Sequence, residues 1–191
     1  MRAAFWTLIA ISGATCAAAP IPPNEATHLI ATFDSVCVNG ATDQKAELAR
    51  ADALGWRSSG SDAPKGFDPA TQRLSPSGSP TLVLTTVEEE SSAEMRDICG
   101  ISSTGPVKGL SEAAQDWLGF SPIFASMGSA TFVALRDGSH WRASPKLDRT
   151  ALQTVKREGM LYSIMVLNGD APEKDKGYSA TISFLRALQK S

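Results

Sequence analysis

The sequence predicts an α+β fold: a mainly antiparallel sheet of about five to six strands packed against several helices, with a long loop rich in Ser, Gly and Pro. Three observations carry this expectation. Near the start, Ala26, Leu29, Ile30, Phe33 and Cys37 recur at helical spacing and form one apolar stripe. From Thr81 onward the chain turns to runs of β-branched and aromatic residues separated by polar turns. Within that half, Asp137-Gly138 lies between two strand-like runs, the strongest short-range signal for an antiparallel hairpin.

The chain opens with Met1 and Arg2, an apolar run from Ala3 to Ile11 and a small-residue stretch from Ser12 to Ala19, the three-part pattern of a secretory signal. Residues 1–18 are read as the signal peptide and 19–191 as a single α+β domain. Cleavage after Ala18 places Cys16 and Ala18 at the positions that want small side chains, whereas cleavage after Ala19 would leave Pro20 next in line. The apolar run is shorter than the roughly 18 residues of a membrane-crossing helix, and no later segment reaches that length, so no transmembrane segment is expected. A lipid anchor on Cys16 is disfavoured, because Gly13 and Thr15 stand where such signals carry an aliphatic and a small residue. The expected location is the periplasm or the exterior.

Processing removes one of the three cysteines and leaves Cys37 and Cys99. An exported chain with two cysteines ordinarily joins them, and closing that loop would stabilise the fold by about 4 kcal/mol on the chain-entropy model. Two buried free thiols are the alternative. Loss of Arg2 leaves a mature formal charge of −3 from 20 acidic and 17 basic residues, too small and too evenly spread to suggest a nucleic-acid partner.

Taken in order, Pro20, Pro22 and Pro23 form a stiff leader, Asn24 caps the first helix and Asn39-Gly40 ends it. Thr42 is expected to cap a second helix through Ala46, Ala49, Ala53 and Leu54, with Gly55 left-handed at its end and Trp56 just beyond. Residues 58–80 contain 13 Ser, Gly or Pro among 23, which predicts a long surface loop anchored by Phe67 and Leu74. Strands are expected over 81–87 and 94–101, joined by the solvated stretch Glu88 to Ser92. Ser111 caps a short helix through Trp117 that Gly119 terminates, and Phe120 to Met127 is an apolar connection into the next strand.

The hairpin comprises 131–136 and 139–143, with a type I′ turn at Asp137-Gly138 that sets Leu135 opposite His140 and Ala134 opposite Trp141. Phe132, Ala134 and Trp141 then share the core face. Asp148 caps a helix that Leu147 and Leu152 staple, and Ala151 and Val155 continue its stripe to Gly159. Strands over 160–167 and 178–184, joined by a long polar loop, close the chain. Ser129-Ala130-Thr131 and Leu135-Arg136 are echoed at Ser179-Ala180-Thr181 and Leu185-Arg186, for which similar burial in two strands is a simpler cause than duplication.

Reactive constellations are scarce. Ser139 and His140 are neighbours on a strand and point to opposite faces, so a base at His140 would need a distant nucleophile. Ser126-Met127-Gly128 has half the form of a nucleophile elbow, but Phe124 replaces its first glycine. His28 and His140 are the only histidines and show no metal-ligand spacing, and His28 falls with Thr32, Ser35 and Asn39 on the polar side of its helix. Glu88 to Glu90 reads as a charged turn rather than a calcium site, and Cys37 and Cys99 are too far apart for a redox dithiol. No cofactor or metal is implied.

Phe33-x-x-x-Cys37 on a first helix, the Gly55-Trp56 pair and a lone second cysteine before an α+β remainder resemble small exported bacterial proteins of unknown function. The resemblance implies no catalytic residue and no ligand. The functional expectation is therefore an exported, non-catalytic binding or interaction domain of the bacterial cell envelope, its partner an unknown protein or small-molecule ligand. The alternative is a small envelope hydrolase with His140 as base.

Overall fold

The computed structural model describes residues 24–39, 43–60, 68–76, 81–90, 95–144, 149–158, 161–168 and 179–188. The signal segment with Cys16, Thr42, Phe67, Leu147, Asp148 and Gly159 lie outside the described residues.

Helix α1 (Glu25–Phe33) begins where Asn24 accepts a hydrogen bond from the Thr27 amide at 2.8 Å, and its stripe of Ala26, Leu29, Ile30 and Phe33 is buried. The helix then widens into a π-turn over Asp34–Val38, closed by the Asn39 amide donating to the Asp34 carbonyl at 2.7 Å. Three successive side chains in this turn, Val36, Cys37 and Val38, are each at most 1% exposed, packed between the helices and the sheet.

Helix α2 (Gln44–Ala53) is capped by Asp43, which accepts from the Ala46 amide at 2.8 Å, and not by Thr42. Its expected alanine stripe is also corrected. Ala49, Ala53 and Leu54 are exposed, while Glu47 and Ala51 point inward. The helix ends as expected, with Gly55 at φ +78° and the Trp56 amide donating back to the Ala51 carbonyl at 3.0 Å, which brings Trp56 into the core.

Nine strands form one sheet in which every neighbouring pair is antiparallel. They are β1 (Arg57–Ser58), β2 (Gln72–Leu74), β3 (Leu82–Glu90), β4 (Met95–Ser103), β5 (Phe124–Ser126), β6 (Ser129–Asp137), β7 (His140–Ala143), β8 (Leu161–Asn168) and β9 (Ala180–Leu188). Their order is β1-β2-β3-β4-β9-β8-β6-β5, and β7 also pairs with β6. The α+β architecture is the expected one, and the sheet is wider than the predicted five to six strands. The additional strands β1, β2 and β5 have two or three residues each, too few for an alternating pattern to register.

Two of them fall at or within 58–80, so that segment is not wholly a surface loop: Leu74 and Gln72 on β2 are buried. Strand β3 also extends through Glu90, pairing Glu88 with Asp97 and Glu90 with Met95, so the acidic run is strand rather than connection. Helix α3 (Leu110–Leu118) starts after a left-handed Gly109 with no side-chain cap. Ser111, the expected cap, sits inside the helix and donates to the Gly128 carbonyl at 3.3 Å. Gly119 at φ +78° closes it as expected.

The inner face of the sheet carries Leu84, Cys99, Ile101, Phe132, Ile164, Ile182 and Phe184, all fully buried. Helix α1 packs against β4 and β9, α2 against β2, β3 and β4, and α3 against β8. Cys37 and Cys99 are joined by a disulfide with their Cα atoms 5.7 Å apart, tying the π-turn to the centre of the sheet. Helix α4 (Arg149–Arg157) packs against β9.

Candidate functional site

The predicted hairpin exists, but its register differs by two residues: Asp137 pairs with His140, Arg136 with Trp141, Leu135 with Arg142 and Ala134 with Ala143. The turn is Gly138-Ser139, with Gly138 at φ +58°. A type I′ turn on Asp137-Gly138 would also require Asp137 to be left-handed. The observed turn places its one positive φ on the glycine, the type II′ pattern, which spares Asp137 that strain. An even shift preserves faces, so Trp141 still packs on the core beside Phe132 and Ala134.

His140 is exposed on the opposite face, across from Asp137. Among the described residues no side-chain hydrogen bond joins it to a serine or a carboxylate. His28 is likewise exposed, and its carbonyl accepts from the Thr32 hydroxyl. Ser126-Met127-Gly128 is the end of β5 and a tight turn into β6, with φ +44° at Met127 and +80° at Gly128. Both central residues are left-handed, so the I′-type hairpin occurs here and no nucleophile elbow does. Among the described residues no group of three or more His, Cys, Asp or Glu is disposed to hold a metal ion, and no helix is long and apolar enough to cross a membrane.

Where α1 and α3 lie side by side they leave an open groove of about 540 Å³. Ile30 and Ala31 from α1 and Ala113 and Trp117 from α3 supply its apolar walls. Three carboxylates, Asp34, Glu112 and Asp116, supply its charge, and among the described residues no basic side chain lines it. The helical periodicity explains the combination: Ala113 and Trp117 follow one another at i, i+4, as do Glu112 and Asp116, so one edge of α3 is apolar and the next acidic.

Trp117 is held from behind by edge contacts with Phe33 at 5.8 Å and Trp141 at 5.2 Å, and Trp141 in turn meets Tyr162 at 5.2 Å. The Arg136 guanidinium stacks 5.3 Å over Trp141 and donates to the Val38 carbonyl at 2.8 Å and to Asn39 Oδ1 at 2.6 Å. Asn39 in turn bonds Asp34. Burial pushes the Asp34 carboxyl up, while Arg136 and Asn39 pull it back. A rigid aromatic wall beside several acids can bind an organic cation through ring quadrupole and charge together.

A second cluster lies deeper. Glu47, Thr86, Asp97, Arg186 and Tyr162 meet on the inner face beneath α2, each at most 5% exposed. Sequence reasoning singled out neither the groove nor this cluster. The spacing of Glu112, Ala113, Asp116 and Trp117 was readable, but which helix it would face was not. Comparison of the chain with protein-family models, with curated proteins and with solved structures finds no match.

Proposed function

We propose that the chain is an exported, non-catalytic binding domain of the bacterial periplasm or exterior, and that the α1–α3 groove holds its ligand. The observation that carries this reading is the groove's make-up: a braced Trp117 and apolar walls on one side, and on the other Asp34, Glu112 and Asp116, with no basic residue among the described lining. Such a surface suits a ligand with an apolar body and a positive charge, presented by a small molecule or a basic side chain of a partner. The signal pattern of residues 1–18 and the Cys37–Cys99 bridge support an oxidising compartment. The hydrolase alternative gains no support, because among the described residues exposed His140 makes no side-chain hydrogen bond to a serine or a carboxylate.

Amide chemical-shift mapping tests the reading, with benzyltrimethylammonium as probe and benzoate as an anionic control of similar shape. The expected result is saturable shifts confined to residues 27–34 and 109–117, absent with benzoate and weakened about 5- to 30-fold in affinity by Trp117→Leu, the range of one to two kcal/mol of cation–π contact. Shifts scattered over the surface, or equal for both probes, would remove the groove as the site.

A further inference from the structure

Two acids and one base are buried together where α2 meets the sheet. Glu47 comes from α2, Asp97 from β4 and Arg186 from β9. Asp97 and Arg186 are cross-strand partners, and Arg186 Nη2 donates to Asp97 Oδ2. The same nitrogen is 3.7 Å from Glu47 Oε1, beyond hydrogen-bond length. The Thr86 hydroxyl on β3 donates to Glu47 Oε2, and the Tyr162 hydroxyl on β8 accepts from Arg186 Nη1 at 3.3 Å. Glu88, the exposed cross-strand partner of Asp97 on β3, also bears on the cluster.

Charge counting leaves a surplus. Two ionised carboxylates against one guanidinium would strand a negative charge in the interior, and a buried group in that position takes up a proton instead. Geometry says which one. Asp97 holds the direct bond to Arg186, whereas Glu47 has only a hydroxyl donor and a distant guanidinium. Among the described residues Glu47 Oε1 and Asp97 Oδ1 have no hydrogen-bond donor, and the two carboxyls converge on one nitrogen, Arg186 Nη2. One proton between them satisfies both.

We infer that Glu47 and Asp97 share a single proton and that this proton latches α2 to the sheet. Burial first, and then the charge of Asp97, push the Glu47 carboxyl up to about 9, against the pull of Thr86 and Arg186. Burial raises Asp97 as well, against Arg186. In the opened state Glu47 ionises near its ordinary value of 4.5, so the closed state binds one more proton through the interval up to about 9. A carboxyl raised in this way stabilises closure at low pH and loses that contribution as pH rises. The effect falls on α2 because the π-turn that continues α1 is tied covalently to β4 through Cys37, while α2 turns only Glu47 and Ala51 fully inward.

Hydrogen exchange from pH 6 to 9, corrected for intrinsic exchange, reads this directly on the whole mature protein. Protection of residues 44–53 should fall about tenfold per pH unit, the value for one linked proton, while residues 25–38 hold theirs. Glu47→Gln keeps a neutral donor in place of the protonated carboxyl, and its α2 protection should be level across the range. A level wild-type profile, an unchanged slope in Glu47→Gln, or equal loss in α1 and α2 would overturn the latch. Infrared spectroscopy of the wild type gives a readout independent of the variant: a protonated-carboxyl C=O band present at pH 7 and lost above pH 9 is expected, and its absence at pH 7 would also overturn it.

Discussion

Glu47 occupies a position that apolar periodicity assigns to solvent, and it is fully buried. The sequence of α2 offers mostly alanines and charged residues, so no large apolar stripe decides which side turns inward. The decision comes from partners 39 to 139 positions away, Thr86, Asp97 and Arg186, which supply a donor, a proton acceptor and a counter-charge. Local pattern cannot see such an arrangement. Arg186 is the keystone of the cluster, also lying 4.9 Å over the Phe184 ring. Arg186→Met should cost about 3–5 kcal/mol at pH 7, since it leaves Asp97 without its counter-ion. With Arg186 gone the Asp97 carboxyl rises further in the folded state, so the cost should shrink as pH falls and Asp97 takes up a proton. Urea titrations at pH 4.5 and 7 check this. An equal cost at both would mean that the loss is one of packing alone.

At the scale of elements, end signals were legible where a residue's own chemistry enforces them. Asn24 as a cap, Gly55 and Gly119 as left-handed ends and a turn at Gly138 all follow from one side chain or its absence. Thr42 and Ser111 failed as caps because Asp43 and Gly109 offered nearby alternatives that composition alone does not rank. The β5–β6 turn was hidden because Met127 is not a turn residue, and its left-handed backbone is set by the pairing of Ser126 with Ser129. The two hairpin glycines give a controlled comparison. At Gly138 an added Cβ meets open space, so Gly138→Ala should cost only the backbone strain of about 1–2 kcal/mol. At Gly128 the same atom would fall 2.4 Å from the Asn168 carbonyl oxygen on β8. Gly128→Ala should therefore cost at least about 1 kcal/mol more, from overpacking against backbone that cannot yield. Paired denaturation curves measure the difference, and equal costs would mean that the β5–β6 turn moves freely over β8.

Over the whole molecule, the α+β class and the presence of the longer strands were readable from runs of β-branched and aromatic residues, whereas their order in the sheet was not. The candidate site was not, since a groove between α1 and α3 depends on how two helices lie together. The echo between 129–136 and 179–186 has a structural basis: β6 and β9 flank β8 on either side, Ala130 and Ala180 are equally buried, and Arg136 and Arg186 follow at the same interval along their strands. The longest-range inference from sequence alone concerned Cys37 and Cys99, 62 residues apart and now seen joined. Both sulfur-bearing side chains are fully buried, and the bridge encloses α2 and β1 to β3. Its main effect should therefore be on the unfolded chain, whose freedom it restricts across that loop. The double variant Cys37→Ala, Cys99→Ala should remain folded, with the helices still seated on the sheet, but be less stable by about 2–4 kcal/mol. It should also unfold with a larger denaturant dependence, because the opened chain exposes more surface. An unchanged midpoint in urea would show that packing of the π-turn on β4 holds this region without the bond. A drop in midpoint with an unchanged slope would place the loss in the folded core instead.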